Sequence, residues 1–486
     1  MKISLDKLFV TLVILGAFLF VIRPIEDPDF WWHIKTGQLI LQDKEIPFVD
    51  DYSFSANGKP WIAHEWLSEV IMYGTFKAGG IAFTVILFAF LALTAFTLSI
   101  FRSENRINLY AIGGALLLGF ILSTPVLWAR PQIFTLLNAS IFIFLLDRFI
   151  KTERIRNLIP LPIIMLLWVN QHGAFIIGLG IIGIYILGLV SDHLISIVKA
   201  KDRFSKIINK SIFILAGTLI VCSLTIFINP NGSKIFLYPF QTVNDPSLQS
   251  VNQEWASPNF HERTWIPLAV MYLSLIGFGL KAKKTISTTN IILCVVFGYL
   301  ALLALKQVAL FAIVSIPILA DLISDVIPFA PGNKQSKRIV IPLAVISITG
   351  IVVLIANSVF HLNEKQTAFM EQFFPVKAVE FIEKEGIEGK YIFNSYNWGG
   401  YLIWNMYPQQ KVYIDGRCDM YGADFVTRFV DIYTTKPGWE NALKSDKIEY
   451  VLVEPNTYLA FGLLEQPEWK TIFSDEVSVL FQYNNQ

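Results

Sequence analysis

Long apolar runs separated by short polar segments dominate residues 1–360. A helix needs roughly 20 apolar residues, rising about 1.5 Å each, to cross the hydrocarbon core of a bilayer. Some runs reach this length, whereas others are shorter or are joined by minimal turns. The pattern predicts about eleven membrane-spanning helices, at residues 7–22, 81–100, 108–127, 132–149, 158–169, 174–190, 211–228, 265–280, 288–304, 308–324 and 338–360.

The segment between the first two predicted spans, residues 23–80, has a helical periodicity of its own. Apolar residues recur at helical spacing after Asp29 through Leu41, and a second stretch runs from Trp61 to the glycines at 79 and 80. The turn-forming sequence of residues 57–60 separates the two stretches. This first outer loop is therefore predicted to hold two helices that lie in the membrane interface.

Residues 361–486 differ in character, because charged residues are mixed in and no apolar run is long enough to span a bilayer. Two stretches have helical periodicity and four read as short strands. The helices are predicted at 375–385 and 423–433, and the strands at 391–394, 411–414, 448–453 and 477–483. The predicted fold class is an α-helical polytopic membrane protein, residues 1–360, with a small α/β domain, residues 361–486, outside the membrane.

The composition agrees with a membrane protein and excludes several other classes. Of the 486 residues, 54% are hydrophobic and only 16% are charged. The formal net charge of +1 gives no basic field for binding nucleic acid. Three scattered cysteines are too few for a disulfide framework or a thiolate metal site. The first apolar run resembles a signal peptide but lacks a small-x-small cleavage site, so we interpret it as a retained span.

The basic residues of the loops predict the orientation, since Lys and Arg near span ends prefer the cytoplasmic side. In the predicted topology the basic loops all lie on the side of the N-terminus. Their residues are Arg102, Arg106, Arg148, Lys151, Arg154, Arg156, Lys199, Lys201, Arg203, Lys206, Lys210, Lys281, Lys283, Lys284, Lys334, Lys337 and Arg338. The chain is predicted to lie in the plasma (inner) membrane, with a cytoplasmic N-terminus and an extracytoplasmic C-terminal domain.

Acidic, aromatic and histidine side chains cluster in the first outer loop. All twelve Trp and five of the six His fall on the outer side in this topology. An interfacial aromatic belt accounts for some of the Trp, but not for the acids and His beside them. Either aspartate could simply cap the following helix. The clustered residues are Asp27, Asp29, Trp31, Trp32, His33, His64 and Glu65.

Other outer turns also carry polar side chains at membrane depth. A charged group there costs about 2.5 to 3.5 kcal/mol on insertion scales, so it usually faces a watery cavity or a partner. Arg130 and Lys306 together suggest an outward cavity that binds an anion, although either could instead snorkel to the interface. Further polar candidates on these turns are Asn170, His172, Glu254 and Trp255.

In the C-terminal domain the conspicuous segments are 394–401, which ends on paired glycines, and 413–419, which holds Asp-Gly-Arg. Glycines after a strand let a loop approach a ligand closely, although ordinary strand-to-helix turns use the same residues. The candidate ligand-binding residues are Trp398, Tyr401, Asp415 and Arg417.

These motifs resemble those of the GT-C superfamily of polytopic glycosyltransferases. Residues 29–33, followed by Gly37, are similar to the Asp-aromatic opening of that superfamily's first outer loop. Residues 58–66 resemble the Gly-Lys-Pro segment of aminoarabinose and related transferases, and protein mannosyltransferases belong to the same superfamily. Residues 397–401 are similar to the Trp-Trp-Asp-Tyr-Gly region of oligosaccharyltransferases, but the aspartate is missing. The outer-turn motifs resemble an uncharacterised bacterial branch.

The resemblance implies transfer of a sugar from a polyprenyl-phosphate donor to an extracytoplasmic glycan, lipid or protein, with inversion. It implies a catalytic aspartate in the first outer loop, for which Asp29 is preferred and Asp27 is the alternative. Arg130 and Lys306 would neutralise the donor phosphate, and the remaining candidates would bind sugar and acceptor. A divalent metal is a possible cofactor, with His33, His64 and Glu65 as ligands.

Two other function classes remain open. A transporter is expected to have polar midplane residues and inverted repeats, and neither is visible in the sequence. A non-catalytic envelope-assembly or glycan-binding protein would use the outer domain, but it would leave the cluster of Asp, Trp and His in the first loop unexplained.

Overall fold

A computed structural model of the chain describes residues 4–103, 108–200, 210–243, 253–327 and 337–484. Five residues of the predicted cytoplasmic loops lie outside these ranges, namely Arg106, Lys201, Arg203, Lys206 and Lys334. The described residues form two compact units. The first unit consists of Met1–Arg23, Val85–Pro239 and Gln253–Phe360, and the second of Pro24–Thr84, Phe240–Asn252 and His361–Gln486. The domain division at residues 360 and 361 stays a prediction.

Each of the eleven apolar segments coincides with a helix. In chain order the helices up to residue 360 are α1 (Leu5–Val21), α2 (Phe30–Asp43), α3 (Trp66–Ile100), α4 (Leu109–Ser123), α5 (Gln132–Thr152), α6 (Pro160–Gln171), α7 (Ile176–Ala200), α8 (Lys210–Thr225), α9 (Lys234–Val243), α10 (Ile266–Lys281), α11 (Thr288–Leu303), α12 (Val308–Val326) and α13 (Lys337–Phe360). Eight helices among the described residues are long and apolar enough to cross a membrane, and Thr288–Leu303 is a shorter apolar one. The predicted fold class, a helical polytopic membrane protein with a small C-terminal α/β domain, is confirmed, whereas the placement of that domain outside the membrane stays a prediction.

In the first unit, α12 is the buried central helix, with most of its residues enclosed by neighbouring helices. The buried side chain of Arg102 connects three further elements of this unit. Arg102, just after α3, donates from Nε to Asp147 Oδ2 of α5 at 2.6 Å and from Nη2 to Asn290 Oδ1 of α11 at 3.0 Å. Pairing of this kind is what makes a charge tolerable beside hydrocarbon.

The first outer loop forms the two predicted helices, which belong to the second unit. Helix α2 spans Phe30–Asp43, and the second helix is the N-terminal part of α3. Helix α3 is broken at Gly79 and Gly80, where Gly80 has φ of +64° and ψ of −156°. Side chains rarely permit this conformation, so glycine is required there. The break separates the loop helix, from Trp66, from the predicted span that starts at residue 81.

The C-terminal part of the second unit contains a four-stranded mixed sheet. Strand β1 (Ile392–Asn394) is parallel to β2 (Tyr450–Val453), and β4 (Val479–Tyr483) is antiparallel to both β2 and β3 (Trp469–Ser474). The helices around it are α14 (Leu362–Phe373), α15 (Val376–Lys384), α16 (Gly399–Met406), α17 (Cys418–Tyr421), α18 (Ala423–Tyr433), α19 (Trp439–Ser445) and α20 (Tyr458–Leu464).

The prediction of a strand at residues 411–414 is wrong, and the structure shows why this segment is nevertheless extended. Val412 pairs with the first loop instead of the sheet: its N–H donates to Tyr52 O at 3.0 Å, and its carbonyl accepts from Phe54 N at 3.0 Å. Backbone groups that must be paired when buried thus find partners far away in the sequence.

Candidate active site in the second unit

The two helices of the first loop approach each other closely at Gly37. A Cβ at this position would lie 2.0 Å from the carbonyl oxygen of Glu69, so only glycine fits. His33 lies one turn before Gly37 on α2, and Glu65 lies one turn before Glu69, so these three side chains converge. The close contact therefore builds a polar cluster from the two loop helices.

His33 occupies the centre of this cluster. Its Nδ1 lies 3.1 Å from Glu69 Oε1 and its Nε2 lies 3.8 Å from Glu65 Oε2. His64 Nε2 is 3.6 Å from Glu65 Oε1. Burial opposes protonation of His64, but the charge of Glu65 raises its pKa above the ordinary value. The structure thus brings together His33, His64 and Glu65, which sequence analysis singled out.

Glu69 is a member of the cluster that sequence analysis missed. Its spacing of four residues from Glu65 was the available signal, because that spacing places both carboxylates on one helix face. His33, Glu65 and Glu69 are buried, and one ligand atom from each lies within 4.8 Å of the others. Imidazole and carboxylates are ligands for Zn²⁺ and related cations, so the residues present fit the predicted divalent metal.

The two candidate aspartates have different surroundings. Asp27 is buried, and its Oδ1 accepts from Asp29 N at 3.0 Å, which shapes the turn into α2. Asp29 immediately precedes α2, but its side chain makes no capping hydrogen bond to the helix. Asp29 is partly exposed, and its carboxylate does not cap the helix, unlike the usual cap.

The Asp29 carboxylate lies against Gly416 of the Asp-Gly-Arg segment. A Cβ on Gly416 would be 1.7 Å from Asp29 Oδ1, so glycine leaves the space that this carboxylate fills. Near it, the Tyr396 hydroxyl is 3.1 Å from Cys418 Sγ. Burial, helped by the charge of Asp29, raises the pKa of Tyr396 well above its usual value and that of Cys418 to about 12. Both groups therefore stay protonated beside Asp29 near neutral pH.

Asp415 and Arg417 form a buried ion-pair network. Arg417 donates from Nε to Asp415 Oδ1 at 2.8 Å, and its Nη2 lies 2.6 Å from Asp415 Oδ2 and 2.7 Å from Asp50 Oδ1. Burial alone would lower the pKa of Arg417, but these carboxylates raise it well above its usual value. Only 2% of Arg417 is exposed and Asp415 is fully buried. The pair joins the first loop to the C-terminal part of this unit.

The predicted aromatic candidates of this unit are also packed into its core. Trp31, Trp32, Trp398 and Tyr401 are all buried. The Tyr401 ring meets Trp31 edge to face at 6.0 Å, and Trp398 Nε1 donates to Phe373 O at 3.0 Å. The paired glycines make this packing possible, since a Cβ on Gly400 would be 2.5 Å from Pro28 O. A role of these rings in binding sugar or acceptor stays a prediction.

In the first unit, four predicted residues meet in one cluster. Arg130 forms a short ion pair with Glu254, and the Lys306 ammonium lies 2.9 Å from the centre of the Trp255 ring. Leu305 N donates to Ala256 O at 3.1 Å, which fixes the segment after Trp255 to the turn that bears Lys306. The two cations thus contact neighbouring residues, Arg130 through Glu254 and Lys306 through Trp255.

Asn170 and His172 are bonded within the first unit, close to the end of α6. Asn170 Oδ1 accepts from Asn229 Nδ2 at 3.1 Å. His172 Nδ1 is 2.9 Å from Thr135 Oγ1 and accepts from Ala174 N at 3.3 Å. Because Nδ1 is an acceptor, the proton of the neutral imidazole is on Nε2. Contact of Asn170 and His172 with the substrate stays a prediction.

No protein-family model and no curated protein matches the sequence. Solved structures do match. The oligosaccharyltransferase AglB from Archaeoglobus fulgidus, in complex with an inhibitory peptide and a dolichol-phosphate, aligns over 92% of this chain and 69% of its own with 10% identity and a TM-score of 0.51. The apo form of the same enzyme also aligns over 92% of this chain and 69% of its own, with 11% identity and a TM-score of 0.51. ArnT from Cupriavidus metallidurans bound to undecaprenyl phosphate aligns over 98% of this chain and 97% of its own, with 10% identity and a TM-score of 0.48.

The match to the archaeal enzyme extends over nearly all of this chain, and at such low identity it concerns the fold alone. This match in fold agrees with the presence of eight described helices that are long and apolar enough to cross a membrane. It also agrees with the motifs of the first outer loop. The chain therefore shares the fold of this archaeal oligosaccharyltransferase, a polytopic membrane enzyme.

Proposed function

We propose that the chain is a membrane glycosyltransferase that moves a sugar from a polyprenyl-phosphate donor to an extracytoplasmic acceptor, with Asp29 as the general base. The observation that carries this proposal is that Asp29 is partly exposed and that its carboxylate, which does not cap α2, lies against Gly416. The dolichol-phosphate bound to the archaeal enzyme of the same fold supports the donor class.

In the proposed reaction the acceptor O–H gives its proton to Asp29 while the acceptor oxygen forms a bond to the anomeric carbon. The bond from that carbon to the donor phosphate breaks, and the lipid phosphate leaves with the electron pair, so that the anomeric configuration inverts. The N-terminus of α2 favours the charged form of Asp29, because the helix dipole is positive there. A carboxylate can accept a proton only in that form.

Arg130 and Lys306 are proposed to bind the donor phosphate, since guanidinium and ammonium groups donate charge-assisted hydrogen bonds to phosphate oxygens. Arg130→Gln removes one cation and should weaken binding of a polyprenyl phosphate about 10- to 100-fold, which is typical of a lost hydrogen bond to a charged group. The affinity is measured by titrating undecaprenyl phosphate into the purified, detergent-solubilised protein.

Arg148→Gln is the matched control, because Arg148 is an exposed basic residue of the same unit with no proposed contact to the donor. It should leave the affinity unchanged. Equal affinities of wild type and Arg130→Gln would mean that Arg130 serves only its ion pair with Glu254.

The orientation is proposed to be the predicted one, with the N-terminus in the cytoplasm and the C-terminal segment outside. A cysteine label at Asn485, which lies outside the described residues, should react with an impermeant reagent added to intact cells. A label at Lys151, in a predicted cytoplasmic loop, should react only after permeabilisation. The reverse pattern would place Asp29 on the wrong side for an extracytoplasmic acceptor.

The function as a whole is tested by mass spectrometry of lipid-linked sugars and envelope glycans from cells with and without the protein. Loss of the protein should cause one polyprenyl-phosphate sugar to accumulate and one glycosylated product to disappear. Identical profiles would contradict the proposed transfer and favour a non-catalytic role in the envelope.

A further inference from the structure

The facing helices of the first loop place three ligand-type side chains around one point. Glu69 N donates to Glu65 O at 3.0 Å, so the two glutamates are one helical turn apart on the same face. His33 projects toward both from α2, and the contact at Gly37 holds the two helices together. All three residues come from a single compact unit.

We propose that His33, Glu65 and Glu69 bind one divalent cation, of the Zn²⁺ or Mn²⁺ class, between the two helices of the first loop. One imidazole with two carboxylates suits these ions, because imidazole favours transition metals whereas purely oxygen sites favour Mg²⁺ and Ca²⁺. The cation site stands independently of the proposed sugar transfer, since bound metal can be measured without any reaction.

The three side chains are close enough to bind one cation after small shifts of their ligand atoms. Ligand atoms that share one metal ion at about 2.1 Å lie roughly 3 to 3.5 Å apart. One ligand atom from each of the three residues lies within 4.8 Å of the others. His33 Nε2 is 3.8 Å from Glu65 Oε2, and the other ring nitrogen, Nδ1, is 3.1 Å from Glu69 Oε1. Because each ring nitrogen of His33 faces a carboxylate, the nitrogen that does not bind the metal can donate its proton to the other glutamate. Such a carboxylate–histidine–metal arrangement orients the ring and increases its basicity.

A buried oxygen points to a missing ligand. Glu69 is only 1% exposed, and its Oε2 has no hydrogen-bond partner among the residues that the structure describes. A buried carboxylate oxygen without a partner is costly. Arg417 is close enough to act on Glu69 electrostatically, but its guanidinium already pairs with Asp50 and Asp415. A divalent cation would neutralise the glutamates and fill the open coordination of Glu69.

The test uses the purified full-length protein in detergent. After treatment with a chelator and removal of the chelator, Mn²⁺ is titrated and free ion is followed by electron paramagnetic resonance. We expect one bound ion per chain, and a higher midpoint of thermal unfolding with Mn²⁺ or Zn²⁺ than without, because an ion that binds only the folded state stabilises it. Glu69→Gln should weaken Mn²⁺ binding at least about 10-fold.

Glu45→Gln is the matched control, because Glu45 is exposed in the same loop and should bind no ion. It should keep wild-type affinity. If Glu69→Gln fails to fold, the effect of chelator on the unfolding midpoint of the wild type still decides the matter. The proposal is overturned if the wild type binds neither Mn²⁺ nor Zn²⁺, or if a folded Glu69→Gln variant binds as tightly as the wild type.

Discussion

Asp29→Asn is expected to abolish detectable sugar transfer while the protein still folds and binds its lipid-phosphate donor. Asparagine has the size of aspartate, so it preserves the packing against Gly416, but it cannot accept the acceptor proton. Removal of a general base typically lowers a rate by about 10²- to 10⁴-fold. The measurement is transfer of radiolabelled sugar by the purified variant, with donor affinity determined in parallel.

Two further variants make this result specific. Asp43→Asn changes an exposed aspartate at the other end of α2 and should retain full activity. Asp27→Asn weakens the turn into the helix and should reduce activity only in part, since its carboxylate accepts the N–H of Asp29. Full activity of Asp29→Asn with loss in Asp27→Asn would move the base by two residues. Full activity of both would refute an enzymatic role of this loop.

Arg417→Met is expected to destabilise the second unit by about 3 to 5 kcal/mol, the usual cost of leaving a buried charge without its partner. Methionine fills much of the volume of the arginine stem, but it leaves Asp50 and Asp415 buried without their cation. It also removes the stacking of the guanidinium over Tyr52 and Trp61. Thermal unfolding and limited proteolysis of the purified protein measure the loss.

Arg428→Met is the matched control for this effect. Arg428 pairs with Asp446 at 2.8 Å, but its side chain is 39% exposed, so the loss should be at most about 1 kcal/mol. Partial recovery is expected when Asp50→Asn is added to Arg417→Met, because one buried charge is removed. If Arg417→Met unfolds no earlier than Arg428→Met, the network is not what stabilises this unit, and a role of Arg417 in binding the acceptor becomes the better explanation.

Much of the fold could be predicted because its signals are local. Apolar length alone located the eleven helices, and helical periodicity located α2 and the start of α3 in the first loop. The glycines at 79 and 80 were recognised as the end of the loop helix, because glycine at such a position ends regular structure. The clustering of His33, His64 and Glu65 also followed from sequence, since they lie on two helices of one loop.

What could not be predicted depends on partners that are distant in sequence. Residues 411–414 have the composition of a strand, but whether they join the sheet or pair with residue 53 is decided by folding. Strand β3 was missed because its residues are mostly half-exposed or exposed and have no strong apolar alternation. Arg417 looked like a ligand-binding residue because no sequence signal reveals that Asp50 occupies its guanidinium. The sequence alone does not distinguish an arginine that is buried in the folded protein from one that lies at its surface.

The ion pair between Asp50 and Arg417 also has a consequence for the order of synthesis. The ribosome makes Asp50, Tyr52 and Trp61 long before Arg417, and at typical rates of translation the interval is on the order of tens of seconds. Throughout that time Asp50 lacks the arginine that pairs with it in the folded protein. The buried site of Asp50 can therefore be completed only when the last quarter of the chain arrives, whereas contacts within the loop itself need no late residue.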